Sequence, residues 1–285
     1  MKSVNKSRIT ATYNLSEVCE QYDLKRDAFY KYQKRFVKKE GKNKQVLELV
    51  KQHRRTLPRE GVRKLHKALS NTFVEQNIKF GRDSLFELLR KHDMLVKRKK
   101  ASFKTTNSYH HFHKYSNIIK ELNISKINQV WVADITYIRT VTGFCYLALI
   151  TDVYSRKIIG FDVSDTLELV GSLRALKQAL RRSSNIDGLY HHSDRGVQYC
   201  SNEYVNELKK HNIKISMTEE NHCYENAIAE RVNGILKDEF YIDQTFSDIK
   251  HAQNAIKNAI KLYNSKRLHL SLEYKTPENV YKSIA

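Results

Sequence analysis

A chain of 285 residues, 40% hydrophobic and 29% charged, can hold one large globular domain or two smaller ones. Its formal charge of +20 calls for a polyanionic partner, nucleic acid above all, while four scattered cysteines without a CxxC pair argue against a zinc ribbon or a secreted disulfide framework. No apolar run approaches the ~18 residues of a membrane span and the first residues lack a signal-peptide core, so the expectation is a cytoplasmic, nucleoid-associated protein with no membrane partner.

The charge is uneven. Residues 1–125 carry 30 Lys and Arg against 12 Asp and Glu, whereas residues 126–285 carry 21 against 19. We expect a polyanion-gripping region over 1–104, a linker over 105–125, a core over 126–241 and a helical extension over 242–285. Residues 15–19 and 26–36 read as helix, turn, helix. The second helix, with Lys25, Arg26, Tyr30, Lys31, Lys34 and Arg35, is suited to a major groove, the alternative being a plain helical hairpin with a solvated basic face. Further helices are expected at 43–55, 60–72 and 82–93, the last capped by Asp83 or Ser84 after Gly81. Lys97, Arg98, Lys99 and Lys100 form a basic run that can lie on phosphates. His110, His111 and His113 follow, but without a neighbouring cysteine or carboxylate they read as loop rather than metal site.

Beyond the linker the pattern changes. Strands are expected at 129–138, 145–151 and 157–163, joined by links short enough for an antiparallel meander. A helix follows at 167–182, a strand at 188–192, a helix capped by Ser201, a strand at 213–217, and helices at 226–241 and 247–264. This order implies an α/β fold, a mixed sheet flanked by helices and preceded by an all-α region, with its site at strand ends near a topological break.

Three acids stand out. Asp134 interrupts the apolar run Val130–Ile138, where an unpartnered Asp is costly. Asp194 closes a strand and precedes Gly196, which we read as permitting a tight turn; an Asx turn would account for this Asp as well. Glu230 lies on a helix about 200° from Ile228, sharing its face with Asn233, Gly234 and Lys237, and Asn226 is placed to cap that helix. Gaps of 59 and 35 residues separate the three acids. Carboxylates within ~4 Å of one another would repel by ~4 kcal/mol per pair at an effective dielectric of ~20. Two Mg²⁺ ions, with Mn²⁺ as a substitute, would offset this and support phosphoryl transfer. Lys237, Arg231, Arg195 and Arg267 join Lys97, Arg98, Lys99, Lys100, Arg26 and Lys31 as candidate DNA contacts.

The runs Trp131–Tyr137, His192–Ser201 and Asn226–Glu230 resemble the retroviral-integrase superfamily. The tail, with Tyr263–Leu272 and Thr276–Glu278, resembles the second-frame product of bacterial insertion-sequence transposases of the IS-three family. The resemblance implies a ribonuclease-H-like catalytic core and an Asp-Asp-Glu triad at Asp134, Asp194 and Glu230, preceded by a helix-turn-helix segment over 60–104. It also implies cleavage at the element's 3′ ends with joining to target DNA, homo-oligomers on paired terminal inverted repeats, and fusion to or cooperation with a first-frame protein. The chain departs from many relatives in having Glu225 where Asp precedes Asn-Ala, and an acidic stretch at Ser216–Cys223. Two other readings are a non-catalytic, repressor-like DNA binder and a nuclease without joining activity.

Overall fold

In the computed structural model, which describes residues 14–97, 111–219 and 226–283, the apolar runs of the second half form one five-stranded sheet. Strands β1 (Val130–Thr140), β2 (Gly143–Asp152) and β3 (Ile158–Ser164) make the expected antiparallel meander, with Trp131 opposite Asp152 and Tyr146 opposite Ser164. Gly143 turns between the first two at φ +139°, a conformation that L side chains rarely adopt. Strand β4 (Tyr190–Ser193) then joins β1 in parallel and β5 (Lys214–Met217) joins β4, giving the order β3-β2-β1-β4-β5.

Helices cover both faces, which is why β1 and β2 read as nearly continuous apolar runs. On one face α5 (Leu169–Arg182), the short α6 (Val197–Cys200) and α7 (Asn202–Lys210) enclose Trp131, Ala133, Ile150, Leu176 and Leu208. Contact there is tight: a Cβ on Gly160 would lie 2.2 Å from the Ala175 carbonyl oxygen, so β3 and α5 could not keep their spacing. Ser201 caps α7 as expected, accepting from the Tyr204 N–H at 3.4 Å. On the other face α8 (Ala227–Glu239) and α9 (Ile249–Ser265) enclose Ile138, Leu147, Leu149, Ile235, Ile256 and Tyr263.

Both the expected helical extension and the described part of the expected linker pack on the core. In residues 242–285, Ile242, Phe246 and the apolar face of α9 lie in the same cluster as Ile138, Leu147 and Leu149. Beyond them α10 (Pro277–Lys282) ties back through the Tyr281 hydroxyl, 3.0 Å from Asn128 Oδ1. In the described part of the linker, Phe112 and Tyr115 pack on the α5 face, while Ile119, Leu122 and Ile124 pack against Val130, Val132 and Val153.

The basic first part is helical. Asn14 and Glu17 form a capping box on α1 (Leu15–Gln21). The helices expected at 26–36 and 43–55 are a single 29-residue helix, α2 (Arg26–Arg54), with Gly41 inside it. One interior glycine costs only about 1 kcal/mol, and the packing of Val46 and Val50 outweighs it. Helices α3 (Val62–Glu75) and α4 (Arg82–Lys91) close a three-helix unit around Leu65, Phe73, Leu85 and Leu89. Gly81 itself is the N-cap of α4, and Asp83 instead pairs with Arg82. The unit meets the core at Glu239, whose carboxylate takes Lys64 Nζ at 3.0 Å and the Arg267 guanidinium at 2.6 and 2.8 Å.

Candidate active site

Register brings the first two acids together. Val132 stands beside His192 in the parallel β1–β4 ladder, and Asp134 and Asp194 each lie two residues farther on. Both side chains therefore leave the sheet on one face, at the level where β4 has ended and β1 continues alone with β2. That face is the one covered by α8, which carries Glu230, Asn233 and Lys237 at helical spacing.

The electrostatics report the convergence. Burial, then the Asp194 carboxylate, push the Asp134 carboxyl up to about 7; Glu230 adds to the push, while hydrogen bonds from Asn233 and Ile135 pull it down. Asp134 is thus buried enough to be costly as an anion and close enough to both other acids to feel them. Among the described residues, however, no three His, Cys, Asp or Glu side chains are gathered tightly enough to hold a metal as they stand. Glu230 is exposed on α8, and the two aspartates are held by hydrogen bonds of their own.

Those bonds involve residues to which the sequence alone gave no such role. Asn233 Nδ2 donates to Asp134 Oδ2 at 2.7 Å, and the Ile135 N–H donates to Asp134 Oδ1 at 2.9 Å. Asn226 begins α8 but its side chain makes no cap bond; its amide donates instead to the Ala133 carbonyl at 3.0 Å, fastening the helix to β1. Both asparagines are buried, and the side-chain oxygen of each has no hydrogen-bond partner. Asp194 does form an Asx turn, accepting from the Gly196 N–H at 3.0 Å. Gly196 is not needed for an unusual conformation, since its φ is −64°; it is needed for clearance, because a Cβ there would sit 3.0 Å from Asp194 Oδ1. Lys237 faces the same place: burial lowers its ammonium below the ordinary value, and Asp134 is the first charge opposing that.

Asp152, His191 and His192 are engaged within the fold. Asp152 is fully buried on β2, where it accepts from the Asn128 and Ser155 N–H groups and holds the turn into β3. His191, held neutral by burial with its pKa near 3, meets the Tyr204 hydroxyl, and His192 meets Ser216. His111 lies at a tilt against Phe112 and His113 meets Tyr115 edge-on, while His110 is outside the described residues.

The candidate DNA contacts divide. Arg231, Arg26, Lys31 and Lys97 are exposed, Lys31 being paired with Asp27, and Arg195 and Lys237 are half-buried beside the acids. Arg267 is withdrawn from that group: it is 5% exposed and clamped between Glu239 and His269. Arg98, Lys99, Lys100 and Glu225 lie outside the described residues.

A mixed five-stranded sheet with acids at the β1–β4 fork is a ribonuclease-H-like, integrase-type architecture, in line with the family models that match the chain. Residues 125–223 and 211–277 match two family models, both described as "Integrase core domain". An insertion element IS600 protein of 31 kDa from Shigella sonnei is 34% identical over 90% of this chain and 94% of its own length. The transposase for insertion sequence element IS904 of Lactococcus lactis is 31% identical over 79% and 88%. Among solved structures, the HTLV-2 integrase catalytic core domain in complex with magnesium superposes with a TM-score of 0.42 at 20% identity, over 54% of this chain and 96% of that one. The chain belongs to the insertion-sequence transposases that carry an integrase core domain, and it is a DNA transposase.

Proposed function

We propose that Asp134, Asp194 and Glu230 are the catalytic carboxylates of this transposase and that they hold divalent cations, two Mg²⁺ ions or Mn²⁺ in their place. The observation that carries the reading is the β1–β4 register, which sets Asp134 and Asp194 at one level of the sheet beneath α8, the helix of Glu230, where burial and the other two acids push the Asp134 carboxyl up to about 7. A donor set of carboxylate oxygens suits a hard, oxygen-seeking cation better than a soft one. When bound, such cations activate the attacking oxygen and stabilise the leaving 3′ oxygen of an in-line phosphoryl transfer.

The chain's own residues do the rest. Asn233 and the Ile135 N–H fix the Asp134 carboxylate so that it cannot rotate away from the fork. The Gly196 N–H does the same for Asp194. Exposed on α8, Glu230 closes the site by turning toward the two aspartates. Lys237, partly desolvated beside Asp134, offers a positive charge to a phosphate entering the site. The three-helix unit and the basic first part grip DNA flanking the scissile bond, the terminal inverted repeats on one side of the reaction and target DNA on the other. Assembly is as a homo-oligomer on paired ends, with a first-frame protein fused or acting beside it.

The test is a cleavage and joining assay with Mg²⁺ and terminal-repeat duplex. Asp194→Asn should remove both activities while DNA affinity and melting temperature hold; full strand transfer by that variant would end the proposal. Cleavage without a joined product in the unaltered chain would instead favour a nuclease.

A further inference from the structure

The amino-terminal half of α2 carries an aromatic stripe that stands exposed among the described residues. Phe29, Tyr32 and Phe36 are 36%, 59% and 49% exposed. At 100° per residue they fall within an arc of about 60°, and Tyr30 and Val37, both exposed, widen it to about 160°. Leu47 and Val50 fall in the same arc farther along the helix, and there the seam is covered by the three-helix unit. Lys31, Lys34, Arg35, Lys38, Lys39 and Lys42 occupy the opposite arc, about 140° wide. The cationic run Lys31–Lys42 thus faces away from the aromatic stripe, while Lys25 and Arg26, at the start of the helix, lie on the stripe's own side.

We propose that a second copy of this chain covers the stripe, the two α2 helices running antiparallel about a twofold axis between Tyr32 and Gln33. In that register each residue meets the one whose number completes the same sum: Phe29 faces the partner's Phe36, Tyr32 the partner's Gln33, and Lys25 the partner's Glu40, which within its own chain accepts from Asn43 and lies 3.8 Å from Lys91 Nζ. The contact is self-complementary, as a twofold interface must be. A parallel pairing would instead set Lys25 against Lys25 and Glu40 against Glu40. Both cationic arcs stay outward, free for DNA. Three half-exposed aromatic rings supply on the order of 300 Å² per copy, short of the ~800 Å² of a standard interface. Pairing is therefore weak between free chains and strong once two copies are held on one DNA molecule. Only this last step rests on the DNA-binding reading.

The experiment uses the full chain. Sedimentation over roughly 1–100 µM protein, without DNA, gives the self-association constant. Chains carrying Phe29→Cys and Phe36→Cys are oxidised separately and mixed, free and on a duplex long enough for two copies, against the unaltered chain as background. We expect the mixture to cross-link at several times the yield of either variant alone. Lys25→Glu or Glu40→Lys should each weaken association about threefold, the scale of two exposed ion pairs, and the double charge swap should restore it. Self-paired cross-links at position 29, or no yield above background in either state, would overturn the proposal. So would a Phe36→Ser chain that associates normally but binds DNA several-fold more weakly, for the stripe would then be a DNA contact. Melting temperatures of all variants separate these outcomes from misfolding, and strand transfer by the unaltered chain settles the catalytic reading independently.

Discussion

At the scale of single residues, the site is governed by the cost of collecting negative charge. The Asp134 carboxyl is favoured neutral in the folded protein, with a pKa of about 7 against an ordinary value near 3.9. The sign follows directly. Below about pH 4 the group is neutral in both states and costs nothing, and as pH rises toward 7 the metal-free fold loses stability relative to the unfolded chain. The loss at pH 7 is bounded by roughly 4 kcal/mol and is smaller to the extent that water reaches this half-buried group. Denaturant titration of the metal-free protein should show that decline, and Asp134→Asn should flatten it while abolishing activity. Added Mg²⁺ should raise stability at pH 7 more than at pH 5, since the cation favours the ionised form. Gly196→Ala tests clearance: with its Cβ pressing on Asp194 Oδ1, we expect turnover to fall by roughly 10- to 100-fold with little change in melting temperature.

Of the three acids only Asp134, an Asp inside an apolar strand, breaks a local pattern; Asp194 at a strand end and Glu230 on a polar helix face are ordinary by themselves and stood out through their spacing and the resemblance of the runs around them. Asn233 broke none. A buried asparagine on a helix looks the same as an exposed one until the strand beneath is known, and only its place three residues after Glu230 offered a hint. Gly196 was legible as important but for the wrong reason, since clearance depends on where a carboxylate two residues away is held.

At the scale of elements, local signals predicted most helices and strands, and tertiary packing decided the rest. Helices were expected separately at 26–36 and 43–55, and the burial of Val46 and Val50 leaves one helix running through Gly41. The tail read as an extension because nothing local says that α9 covers β1–β3. Arg267 looked like a DNA contact because a cation in a polar tail usually is solvated; here it is spent on Glu239, which also serves Lys64. Glu239 closes α8, so one carboxylate joins that helix, the tail and the three-helix unit. Replacing it by Gln strands two cations in a poorly hydrated place. We expect Glu239→Gln to cost about 3–5 kcal/mol by denaturant titration, whereas an exposed pair such as Lys31–Asp27 should cost under about 1 kcal/mol.

For the whole molecule, the charge asymmetry was the most readable property and the relative placement of parts the least. The excess of 18 positive charges in residues 1–125 is a fact of composition. If six to ten of them neutralise phosphates, log affinity for duplex DNA should fall with log salt at a slope of roughly −5 to −9. A fluorescence-anisotropy titration at several salt concentrations measures it, and a nearly flat response would contradict the grip assigned to this half. No helix among the described residues is long and apolar enough to cross a membrane.

The fork between β1 and β4 has an evolutionary corollary. Because both aspartates are counted from the same rung of a parallel ladder, the 59 residues between them can lengthen or shorten in the outer hairpins without moving either carboxylate. A one-residue deletion between Val132 and Asp134 is another matter: it would turn the acid to the sheet's far side. Homologous elements should therefore vary freely in hairpin length while never gaining or losing a single position just upstream of either aspartate.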